Sequence, residues 1–225
     1  MKKCGFTLAE ILITLAIVGV VAALTAPALV KNSGQAKIGP SLSKFVNTFE
    51  TACEQMMHEE EISNLKDAGD ATVATGLAAK LSKYMVMTPI PDDDENYKNY
   101  KSHNPDGSGS QFISHPAYVL KNGAILHFNG NSRDLVPWLS PKGSYKGSWA
   151  YVDIDINGIA GNNNAGKEVF RFYIDDSGVL IPYGSSAHKY LDENFNKTCS
   201  TTSSNYDDGL ACTGKIADNN WKADY

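Results

Sequence analysis

The chain has little positive charge to offer a polyanion: 20 Lys and Arg stand against 25 Asp and Glu, for a formal net charge of −5 over 225 residues. That balance excludes a nucleic-acid binder working through bulk positive charge. Four cysteines are too few for a disulfide-dense mini-protein, and a chain of this length can bury a core without one. The five histidines, His58, His103, His115, His127 and His188, are scattered, none at zinc-ligand spacing from another. A Gly-x-Ser-x-Gly elbow, a phosphate-cradling glycine loop and an internal repeat are all missing. The expectation is a protein that is not an enzyme. Hydrophobic residues at 42% and charged residues at 20% exclude wholesale disorder.

Charge is also missing from residues 11–30. Twenty residues at helical rise make about 30 Å, the thickness of a bilayer's hydrocarbon core. Lys2 and Lys3 precede the run, while Lys31 and Lys37 beyond it are spaced out. The positive-inside tendency then favours a cytoplasmic N-terminus and an exported body. A secretory signal ending near Ala26-Pro27-Ala28 and a plain signal anchor both fit this outline. Glu10 sits poorly with either, since an acid near an apolar run is costly unless something neutralises it.

Gly5-Phe6-Thr7-Leu8-Ala9-Glu10, after a short basic leader and before an apolar helix, resembles the prepilin signature of type IV pilins and type II secretion pseudopilins. The resemblance implies a cut by prepilin peptidase between Gly5 and Phe6, with Phe6 becoming the N-methylated first residue. Loss of Lys2 and Lys3 with the leader takes the net charge from −5 to −7. Glu10 becomes the fifth mature residue and would pair with the new amine of a neighbouring subunit, which fixes register because an unpaired acid in lipid is penalised. Pro27 falls where pilins commonly carry a helix-loosening proline, and removes one helical hydrogen bond. The implied fold is α+β and pilin-like, a long N-terminal helix with a membrane-spanning first half packed on an antiparallel β-sheet. The implied partners are the inner membrane, the peptidase and other pilin or pseudopilin subunits.

The expected division is a leader at 1–5, a transmembrane and filament-core helix at 6–30, an amphipathic extension at 31–66 and an exported α+β domain at 67–225. In the extension Ile38, Leu42, Phe45, Val46, Phe49, Cys53, Met56 and Met57 recur at three- and four-residue steps, the face that docks on a sheet. Gly34 and Gly39-Pro40 should weaken its start. Met56-Met57-His58 reads as core packing rather than a soft-metal site, and Cys53 as a small core residue. Val73, Leu77, Leu81 and Met85 suggest a second helix, bounded by Thr88-Pro89-Ile90-Pro91. Residues 92–110 read as a long exposed loop, in which the aromatic and basic stretch 98–101 is too short for single-strand binding. Asn122-Gly123 predicts a hairpin turn with positive φ at both positions. Residues 149–156 alternate, with Val152 and Ile154 on one face and Tyr151, Asp153 and Asp155 on the other; 168–174 and 179–181 add strands, for a sheet of three to five.

Two sites are expected in this body. Asp153-Ile154-Asp155-Ile156-Asn157-Gly158 opens like a calcium loop, but the bidentate acid of an EF-hand is missing, since Asn164 stands in the twelfth place. Two readings remain: a looser calcium site on Asp153, Asp155 and Asn157, as in some pseudopilins, or a polar turn whose Asn and Gly accept left-handed backbone. No other cofactor is expected. Cys199 and Cys212 enclose polar sequence, and an exported protein meets an oxidising compartment, so either a disulfide, as many type IV pilins carry near the C-terminus, or two free thiols would stand there. The functional expectation is a filament subunit of a type II secretion or type IV pilus-like system, with its body periplasmic or extracellular. The alternative is a secreted or membrane-anchored binding module with a generic export signal.

Overall fold

The computed structural model describes residues 7–69, 76–91, 93–111, 117–130, 150–191 and 195–225, with backbone alone at 25–34, 130 and 190–191. Helix α1 runs Leu8–Glu59. The chain divides into two compact units, Met1–Lys37 and Ile38–Tyr225. In the second, the apolar stripe of α1 is buried as its spacing requires: Leu42, Phe49, Cys53 and Met56 are fully enclosed, while His58 is exposed. The helix ends before residue 66, because Glu61 turns into left-handed backbone at φ 52° and the Ile62 amide bonds back to the Met57 carbonyl.

Among the described residues six strands form one antiparallel sheet in sequence order: β1 (Met87–Pro89), β2 (Ala117–Leu120), β3 (Ile125–Gly130), β4 (Ala150–Asp155), β5 (Val169–Ile174) and β6 (Leu180–Pro182). The expected three to five strands fall short because β1 is a three-residue edge strand within what looked like a proline-marked boundary. Pro89 is tolerated there since an edge strand need not donate on both sides. The α2 helix is only Leu77–Leu81; Val73, the start of the expected pattern, lies outside the described residues. The β2–β3 turn has positive φ at Gly123 alone, 87°. Asn122 instead accepts the Ala124 amide at 3.2 Å through its side chain, and the loop is one residue longer than a two-residue hairpin allows.

One sheet face carries Leu126, Phe128, Val152, Ile154, Phe170 and Phe172 against the helix stripe. Phe45 and Phe49 interlock with this face, ring centroids 5.7 Å from each other and Phe45 5.7 Å from Phe172. The opposite face is covered too. Tyr97 and Tyr100 from the acidic loop, buried to 3% and 5%, pack there with Ile125, Tyr173, Tyr183 and Leu210. Residues 93–110 are a loop, largely exposed as expected, but one anchored over the sheet by Tyr97 and Tyr100, each of which buries a large aromatic surface. Those rings are unavailable for stacking on bases.

The C-terminal segment adds α3 (Ser186–Leu191), α4 (Tyr206–Leu210) and α5 (Cys212–Asp218). Its last turn reaches the start of the α1 stripe: a Cβ on Gly39 would meet the Trp221 carbonyl oxygen at 1.7 Å. Gly39 is a close-approach glycine here rather than the weak point its composition suggests.

Candidate functional site

Helix α1 opens on Thr7, whose amide and hydroxyl both donate to Glu10 Oε2 at 2.8 Å, while the Glu10 amide donates back to Thr7 Oγ1 at 3.3 Å. This exchange is a capping box, which satisfies donors that a helix start leaves without intrahelical partners. One turn on, the Thr14 hydroxyl donates to the carbonyls of Glu10 and Ile11, both at 2.9 Å, so its polar group is also closed off within the helix.

Between and beyond them the side chains are apolar and open. Leu8 is 79% exposed and Leu24 75%, with Leu12, Ile13, Leu15 and Val18 also exposed. At 100° per residue these positions surround the helix rather than lining one face, which is the pattern of a rod sheathed on every side by lipid or by other helices. Among the described residues no helix is long and apolar enough to cross a membrane. The expected span of 11–30 includes residues of which no side chain is described, Pro27 among them, and Gly5 and Phe6 lie outside the described residues.

The residues singled out for calcium are engaged by the protein. Asp153 Oδ1 and Oδ2 accept from Arg171 Nε and Nη2 at 2.7 and 2.8 Å, a bidentate pair across the β4–β5 register. Asp155 Oδ2 accepts from the Tyr100 hydroxyl at 2.6 Å, and its Oδ1 accepts from the amides of Asn157 and Gly158 at 3.2 and 3.1 Å. The Asn157 side chain donates to the Ala160 carbonyl. This is the geometry of a side-chain-closed turn, completed by Gly158 at φ 71°, where a Cβ would meet the Gly123 carbonyl at 2.4 Å. Among the described residues no three His, Cys, Asp or Glu side chains are grouped to hold a metal ion. Burial, working against the donors around it, pushes the Asp155 carboxyl up to about 7. Burial and the neighbouring Asp155 also push the Tyr100 phenol up, which keeps it a donor. Beside them the Tyr97 hydroxyl and His127 Nδ1 share a hydrogen bond of 2.6 Å, with the Tyr97 and Tyr100 rings stacked at 5.4 Å.

Cys199 and Cys212 form a disulfide, and Cys53 is a buried free thiol. The bridge encloses the polar segment that carries α4, whose start is capped by the Asn205 side chain accepting from the Asp207 amide. The capping role of Thr7 and the pairing roles of Arg171 and Tyr100 went unread in the sequence. Thr7 is legible after the fact, since Thr-x-x-Glu before an apolar run is a capping-box signal. Arg171 and Tyr100 lie 18 and 55 positions from the acids they serve; strand register brings Arg171 to Asp153, and packing of the loop over the sheet brings Tyr100 to Asp155.

Residues 1–26 match the prokaryotic N-terminal methylation motif. This is the type IV pilin and pseudopilin signature. It ends inside α1 and covers residues 1–5, the capping box and the exposed apolar stretch. No curated protein and no solved structure gives a significant match to the chain.

Proposed function

We propose that the protein is a pilin-like filament subunit, held in the inner membrane by its N-terminal helix before assembly. Prepilin peptidase cuts between Gly5 and Phe6, and Phe6 is then methylated. The body lies on the periplasmic or extracellular side. Assembly proceeds by packing of the apolar rods, with Glu10 meeting the Phe6 amine of a neighbouring subunit. The observation that carries this reading is the coincidence of the methylation motif at 1–26 with a helix start whose only acid, Glu10, heads a run of exposed apolar side chains. An acid so placed needs a cationic partner once the rod leaves water, and cleavage supplies one. The proposal assigns no metal, because Asp153 and Asp155 already serve Arg171 and Tyr100.

Mass spectrometry of the mature protein tests it. An N-terminal methyl-Phe6 is expected; a start near Leu29 would instead identify a generic export signal on a secreted binding module.

A further inference from the structure

On the sheet face away from α1 there is a cavity of about 650 Å³, within the range of small-ligand sites. Its floor is the middle of the sheet, with Asn129 from β3, Tyr151 and Asp153 from β4 and Arg171 from β5. One wall comes from the anchored loop and the residue after it, through Asn104 and Gln111, and the other from the disulfide-closed segment through Asn205, Tyr206 and Asp207. The floor is rigidly built. Asp153 is 2% exposed and held bidentately by Arg171, whose guanidinium lies 4.2 Å over the Tyr151 ring. The two walls are tied to each other by a 2.7 Å hydrogen bond between the hydroxyls of Ser102 and Tyr206.

From this lining we infer that the cavity binds a neutral polyhydroxylated ligand, a small saccharide. Apolar ligands are disfavoured because the lining is amide, carboxylate, phenol, hydroxyl, imidazole (His127) and guanidinium, whereas sites for such ligands are mostly apolar. Anions are disfavoured because the one guanidinium is already matched by Asp153 and a second carboxylate, Asp207, also faces the space. A peptide adding as a strand is disfavoured because the cavity lies over β3, β4 and β5, while the sheet's edges are β1 and β6. What remains is a lining whose side-chain amides and hydroxyls between them carry donors and acceptors, the complement of hydroxyl groups that also do both, even though Asn205 Oδ1 already caps α4 and Asn104 Nδ2 already donates to Ser108. The disulfide then acts as a positioning element, since it holds the wall that carries Asn205 and Asp207.

The experiment is calorimetric titration of the full chain in detergent micelles with maltose, lactose, cellobiose and N,N′-diacetylchitobiose, with inorganic phosphate and putrescine as charged comparators. Saturable binding of at least one saccharide is expected, weakened tenfold or more in a Gln111→Ala/Asp207→Ala variant that keeps the parent's melting temperature, and weakened also on reduction of the disulfide. Absence of heat with every saccharide, binding of phosphate or putrescine in their place, or saccharide binding indifferent to the double variant would each overturn the inference.

Discussion

Glu10 holds its own helix start together, and in a filament it would also face a neighbour's amine. The two roles separate by substitution. Gln in that place still accepts from Thr7, as capping boxes allow, but carries no charge. Glu10→Gln is therefore expected to keep processing and helix content while the sheared filament fraction falls severalfold; normal assembly of this variant would remove the ion pair from the account. Asp155 makes a different prediction. Its folded-state carboxyl titrates at about 7, above the unfolded value near 3.8, so the folded chain holds the proton more tightly. That contribution is complete below about pH 4 and is lost as pH rises toward 7. Asp155→Asn keeps an oxygen for the Asn157 and Gly158 amides and should flatten this part of the stability profile, as read by denaturant midpoints across that window.

At the scale of elements, the stripe from Ile38 to Met56 was legible because helical spacing and burial coincide. The alternation of β4 was legible as well, though not that both its faces are covered. The anchoring of the 93–110 loop was hidden because Asp93, Asp94 and Glu95 dominate the composition just before Tyr97 and Tyr100, and composition reports charge more loudly than two aromatic anchors. The Asp153–Arg171 pair was hidden for another reason: a strand reveals which residues share a face, but not which residue of the next strand stands opposite. Gly39 shows a limit of propensity, since its value lies in what comes near it rather than in its own backbone. Gly39→Ala should cost about 1–3 kcal/mol or more through overpacking against Trp221, measurable as a lowered denaturant midpoint with an unchanged slope.

For the whole molecule, the two compact units have unlike chemistry. Among the described residues of 38–225 most apolar side chains are enclosed in two clusters on either side of a sheet, with Val86, Ile159 and Val179 exposed, whereas the first unit leaves Leu8, Leu12, Leu15 and Leu24 uncovered. A chain beginning at Ile38 is expected to fold and stay monomeric without detergent, while the full chain associates unless detergent is present. Size-exclusion chromatography with circular dichroism compares them directly; aggregation of the shorter chain would place the first unit within the folding core.

The tail closes what the helix begins. Trp221, held at a positive φ of 58°, sets its ring 6.4 Å from that of Phe172, its carbonyl abuts Gly39, and the Tyr225 hydroxyl donates to the Gly166 carbonyl. Residues 221–225 thus seal the earliest part of the body's core. Loss of residues 221–225 would uncover Phe172 and the helix surface at Gly39 together, leaving a body open to proteolysis at the point where its first and last described elements meet.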